Sequence, residues 1–245
     1  MMNSSEYKTF QCQEQIELSA LVFDLDDTIF PEIAYVRSGF VVASGLLARL
    51  YGLKKEDCYQ GLVATFNRGI RGKNFNVFLE ERGLDCSEEI IAELIDAYRK
   101  HKPRITLPEV SRKILISLRE KGFKLGLLTD GLVETQMNKV ESLGLEKFFD
   151  SIVYTDTFGR EYWKPNTRPF VEISRMLGVN SRDCSYIADN PDKDFKGAKE
   201  CGMLGIQTVH WVRRPSSSVP EPYMPDIVIR NLEILPELVY LKVSP

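Results

Sequence analysis

Apolar and polar positions along this chain sort into short unbroken runs and longer stretches of helical period. Runs of strand length, rich in β-branched or aromatic residues, occur at 20–23, 125–129, 151–154, 184–188 and 204–209. Helical spacing fills most of the gaps between them. Val110, Ile114, Leu115 and Leu118 share one face before a stop at Gly122; Val133, Met137 and Val140 mark a second helix, and Phe170, Ile173 and Leu177 a third. Strands alternating with helices predict βαβ units around a parallel sheet.

The interval 31–108 breaks that rhythm. It carries helical patterns such as Ile91, Leu94, Ile95 and Tyr98 but no convincing strand, and it reads as a helical domain inserted into a core formed by 1–30 and 109–245. Pro103 and Pro108 suit a return linker, as they would suit any loop. Residues 213–225, rich in Pro and Ser, predict a surface loop before a last strand-like piece at 226–229 and a short helix.

Composition narrows the function classes. With 43% hydrophobic and 27% charged residues over 245 positions, the chain has the makeup of a globular protein, and its length fits either one large α/β domain or a domain carrying a smaller inserted one. A formal charge of -3 exerts no general pull on nucleic acid or acidic lipid. The first 15 residues lack the apolar stretch of a signal peptide, and no run of about 18 apolar residues occurs, so a cytoplasmic protein without a membrane partner is expected. Cys12, Cys58, Cys86, Cys184 and Cys201 are odd in number and scattered, unlike a zinc site or a disulfide framework. His101 and His210 lie far apart beside nothing that resembles a triad.

The polar signals cluster where the apolar runs end, which is where a doubly wound sheet places its ligand crevice. Asp24, Asp26 and Asp27 follow the first run. Such acids serve as turn or cap residues, but three after a buried strand also suit a hard cation, and Mg²⁺ prefers few carboxylates plus a phosphate. Thr129 ends the second run; its hydroxyl and the amides of Asp130 and Gly131 suit either phosphate oxygens or a plain helix cap. Lys164 precedes Pro165 in a loop, as a solvated surface charge or as a partner for a phosphoryl group or carboxylate. Asp189, Asp192 and Asp194 follow the fourth run, offering a further metal ligand or a capping turn.

The ordered set Asp24-Leu25-Asp26-Asp27-Thr28, Thr129, Lys164-Pro165 and Asp189 through Asp194 resembles the four signatures of the haloacid dehalogenase superfamily, over roughly residues 18–238. The resemblance implies a Rossmann-like α/β core with an α-helical cap domain inserted between the first and second signatures. It also implies a Mg²⁺-dependent phosphohydrolase in which Asp24 is the nucleophile, forming an aspartyl-phosphate, and Asp26 the general acid and base. Thr129 and Lys164 would hold the phosphoryl group. The metal would be bound by the Asp24 carboxylate, the Asp26 main-chain carbonyl and Asp189, with Asp194 orienting from behind and Asp192 facing solvent. Ala188 departs from a frequent glycine of the fourth signature. Asp26 favours phosphate over carbon–halogen substrates and leaves phosphomutase open.

Arg37 and the segment holding Arg68, Arg71 and Lys73 are the basic candidates for substrate selection in the insert, or else ordinary solvated positions. An insert of this size closing over a site suits a small phosphorylated metabolite, such as a sugar phosphate or nucleotide monophosphate. From a different class, a non-catalytic phospho-aspartate switch also combines strand-end acids, Thr and Lys around Mg²⁺. The chain is about twice the usual size of such a domain.

Overall fold

The computed structural model describes residues 15–212, 214–215 and 219–242, so Cys12, Arg213 and the 216–218 stretch of the Pro/Ser loop lie outside the described residues. The chain divides into two compact units, Met1–Pro31, Thr106–Gln136 and Leu143–Pro245 in the larger, and Glu32–Ile105 and Met137–Ser142 in the smaller.

The larger unit is built on a six-stranded sheet whose neighbours are all parallel. Its strands are β2 (Ala20–Phe23), β3 (Lys124–Thr129), β4 (Ser151–Tyr154), β5 (Cys184–Ala188), β6 (Leu204–Thr208) and β7 (Ile227–Ile229), in the order β4-β3-β2-β5-β6-β7. All residues of β2 and β5 are buried, as expected of central strands covered on both faces, and this is why they read as unbroken apolar runs. A separate pair, β1 (Ile16–Leu18) and β8 (Val239–Leu241), is also parallel; three residues each left no periodicity to read. The chain steps outward from β2 through β3 to β4, then resumes at β5 on the other side of β2. The carboxyl ends of β2 and β5 therefore flank the topological switch point, where open parallel sheets bind ligands.

The smaller unit contains helices α1 (Glu32–Tyr51), α2 (Lys55–Asn67), α3 (Asn74–Glu80) and α4 (Glu88–Lys100), with no strand among the described residues. By length and composition α1 would suffice to cross a bilayer. Here its buried face, including Val36, Phe40, Ala43 and Leu47, forms the unit's core with Leu62, Phe75, Phe78, Leu79 and Leu94. Gly39 permits this packing, since a Cβ there would meet the Tyr98 ring at 2.4 Å.

Helices α5 (Glu109–Glu120), α6 (Val133–Leu143), α7 (Arg168–Leu177), α8 (Phe195–Glu200) and α9 (Leu235–Leu238) follow. On α5, Ile114, Leu115 and Leu118 are buried, and Gly122 at φ 90° turns the chain into β3. α7 buries Phe170, Ile173 and Leu177 as the spacing predicts. The face predicted for α6 is corrected in part: Val140 is buried as expected and Val133 is half-buried, but Met137 is 51% exposed, and Gln136, Lys139 and Leu143 are buried beside Val140. Two of the four buried residues are polar, so the apolar period alone misplaced Met137 and missed Gln136 and Lys139.

Candidate active site

The turn after β2 sets the first acids. The Asp24 amide donates to Ile187 O at 2.9 Å, continuing the pairing with β5 by one residue. The chain then coils tightly: Ile29 N donates to Leu25 O at 3.0 Å, Asp27 adopts φ 56°, and its amide donates to Phe30 O at 2.9 Å. Asp24 and Asp26 thus leave the strand geometry, in which they would face one way. Asp24 is buried, and Asp26 is half-buried.

Gln136 on α6 ties Asp26 to the end of β3. Its side-chain amide donates to Asp26 Oδ2 at 3.0 Å and to Thr129 Oγ1 at 2.5 Å. Asp130 Oδ1 accepts from Thr155 Oγ1 at 2.7 Å and from the Lys164 amide at 3.3 Å, so its carboxylate fixes the backbone that carries Lys164. Gly131 sits at φ 126°, a conformation that L side chains rarely adopt.

Lys164 joins three elements. Its ammonium, fully buried, lies 2.7 Å from Asp24 Oδ1, 2.8 Å from Asp194 Oδ1 and 2.9 Å from the Tyr186 hydroxyl, to which it donates. Burial alone would lower its pKa; the charges of Asp194 and Asp24 outweigh that and hold it well above the ordinary lysine value. The Lys164–Pro165 bond is cis. Its position is backed by α8, where a Cβ on Gly197 would come within 2.3 Å of Pro165 O.

Asp189, at the carboxyl end of β5, is buried and accepts from Arg214 Nε at 2.7 Å. Its pKa is pushed up to about 7, first by burial and then by the charges of Asp24 and Asp194, against the opposing effect of Arg214. Ligand oxygens of Asp24, Asp189 and Asp194 lie within 4.8 Å of one another. A buried set of hard oxygen donors with excess negative charge fits a divalent, oxygen-preferring cation. Asp194 is engaged on both oxygens, by Lys164 and by the Asn190 amide at 3.0 Å, while Asp192 is exposed.

Of the basic residues singled out in the insert, Arg37 and Lys73 are exposed, and Arg68 pairs with Glu81 at the surface. Arg71, also exposed, lines a cavity of about 250 Å³ within the smaller unit, together with Phe66, Asn74, Phe75 and Tyr98. Its guanidinium lies 3.5 Å from the centre of the Phe66 ring and donates to Phe66 O at 2.6 Å. Gln136 and Arg214, which contact the acids, and Tyr186, whose hydroxyl accepts from Lys164, were not anticipated.

A family model described as haloacid dehalogenase-like hydrolase matches residues 21–207. The chain is 30% identical to a glyceraldehyde 3-phosphate phosphatase from Methanopyrus kandleri, covering 86% of this chain and 91% of the relative. It is 30% identical to the pyrophosphatase PpaX of Halalkalibacterium halodurans over 93% of this chain and 99% of the relative. Among solved structures, a HAD phosphatase from Thermococcus onnurineus matches with a TM-score of 0.57 at 26% identity, over 89% of this chain and 96% of that one.

Proposed function

Because the chain belongs to the haloacid dehalogenase-like hydrolase family and is a phosphatase of it, we propose that it hydrolyses a small phosphate monoester with Mg²⁺, through an aspartyl-phosphate on Asp24. The observation that carries this reading is the environment of Asp24: a buried carboxylate at the switch point, held on one oxygen by Lys164 and converging with Asp189 and Asp194. A carboxylate so fixed is oriented for attack.

Asp24 attacks phosphorus as the bond to the ester oxygen breaks, and Asp26 gives that oxygen its proton. Asp26 then takes a proton from water, which attacks the phosphorus of the acyl phosphate, releasing inorganic phosphate and restoring Asp24. The Gln136 bond to Asp26 holds the acid in place between these two steps. Thr129, Lys164 and the amides of Asp130 and Gly131 hold the phosphoryl oxygens. Mg²⁺ would be bound by Asp24, Asp189 and the Asp26 main-chain carbonyl, where it would offset charge on the transferring group. Asp194, bound to Lys164, serves as an orienting partner.

The smaller unit acts as the cap that selects the ester, with Arg71 and Asn74 in its cavity as the foremost candidates for that choice. A sugar phosphate or nucleotide monophosphate is the expected class, and the relative named for glyceraldehyde 3-phosphate supports a small ester. The four described cysteines are free thiols, in keeping with a cytoplasmic site of action.

Incubation with a panel of phosphate esters, with and without Mg²⁺, tests the reading. Free phosphate should appear only with metal, and Asp24→Asn and Asp26→Asn should each abolish most turnover. An isomeric product without free phosphate would point to a mutase, and beryllofluoride binding without turnover of any ester to a phospho-aspartate switch.

A further inference from the structure

Arg214 Nε donates to Asp189 Oδ2 at 2.7 Å, and a terminal nitrogen of the same guanidinium lies 3.6 Å from Asp27 Oδ2. One planar group thus spans acids delivered by the ends of β2 and β5. The main chains of the pair are tied together as well. Gln207 on β6, fully buried, donates its side-chain amide both to Asp189 O at 3.0 Å and to Arg214 O at 2.8 Å. The Asp189 side chain is 4% exposed and that of Arg214 40%, so the carboxylate points inward while its partner stands at the rim.

We propose that Arg214 is a positioning residue for Asp189, holding one carboxylate oxygen so that the other is presented to the divalent cation. The proposal rests on the magnesium reading above. A mere counter-charge would need only proximity. Here a directional Nε–H bond and a shared amide anchor fix both residues relative to each other. Groups that hydrogen-bond a metal-ligating carboxylate fix its orientation, and losing them commonly weakens metal binding by 10- to 100-fold. A simple competitor has the opposite signature, because removing a cation beside a metal site relieves repulsion and tightens binding.

Calorimetric titration of Mg²⁺ into the full chain separates these signs. Arg214→Ala should weaken Mg²⁺ binding about tenfold, and Arg214→Lys, which keeps the charge but not the planar donor, should restore only part of it. Melting of the proteins without metal records the loss of the ion pair itself, and relative to that baseline the rise in melting temperature on adding Mg²⁺ should shrink in both variants. If Arg214→Ala fails to fold, Arg214→Gln carries the same test. Unchanged or tighter Mg²⁺ binding in the variants, with the wild type binding normally, overturns this proposal alone. A wild type that binds no Mg²⁺ overturns the magnesium reading and this proposal with it.

Discussion

Lys164 lies 2.7 Å from Asp24 in the larger unit with none of its side chain exposed, and Arg68 lies 2.6 Å from Glu81 in the smaller unit with nearly half of each side chain exposed. The separations are almost equal, but water decides what each pair is worth. At the surface, solvent takes over either charge when its partner is lost. In the interior, Asp24 and Asp194 have no such replacement, so their lysine is obligatory even before any reaction is considered. Equal geometry therefore marks a buried, structurally obligatory pair in one unit and a solvated face in the other.

The sharpest break of this comparison is Lys164→Met. It leaves two buried carboxylates without their counter-ion and should lower unfolding free energy by roughly 3–5 kcal/mol in denaturant titrations at neutral pH. A loss below about 1 kcal/mol would place Lys164 with the surface ions. Gly197→Ala comes next. An alanine in an exposed helix ordinarily gains up to about 1 kcal/mol over glycine. Here its Cβ would collide with the Pro165 carbonyl, so α8 and the Lys164 loop must separate, at a cost of about 1–3 kcal/mol and with reduced ester turnover. Stabilisation by this variant would show that the loop is not braced by α8.

Buried ionisable groups in the smaller unit behave differently. His101 is buried; Nδ1–H donates to Tyr98 O at 2.6 Å and Nε2 accepts from Ser38 Oγ at 3.0 Å, a network suited to the neutral ring. Burial, the largest cause, pushes its pKa below the ordinary 6.5, so folding favours the neutral form. Its contribution to stability is therefore present above pH 6.5 and is lost as pH falls through the lower value of the folded state. Chemical denaturation across that range should show less acid destabilisation in His101→Gln than in the wild type, and parallel curves would contradict this. Arg68→Ala is the smallest change: its midpoint in denaturant titration should stay close to that of the wild type, and a clear drop would contradict the reading of Arg68 and Glu81 as a solvated pair.

The strand ends were legible because burial on both faces wrote β2 and β5 as unbroken apolar runs, and acids directly after such runs stand out. What escaped notice has a common cause, that a side chain's role depends on a face or a partner far away in sequence. Tyr186 lies within the apolar run of β5, where nothing local distinguishes a phenol donating and accepting among charges from a core aromatic. Gln136 sits on the buried side of α6, where polar residues defeat the apolar period. Arg214 follows β6 in a Pro/Ser-rich loop and meets Asp189 across 25 positions, a pairing no spacing rule encodes. In the insert, Arg37, Arg68, Arg71 and Lys73 looked alike as sequence, and only packing singles out Arg71 as a cavity residue.

The central claim is that Asp24 carries the phosphoryl group. Wild-type protein and Asp24→Asn, each mixed with a labelled phosphate ester and Mg²⁺, are quenched in acid during turnover, digested and sequenced by mass spectrometry. An acid-stable, base-labile acyl phosphate on Asp24 in the wild type, absent from Asp24→Asn together with turnover, is the predicted result. Turnover without any label on the peptide carrying Asp24, or full turnover by Asp24→Asn, would contradict it.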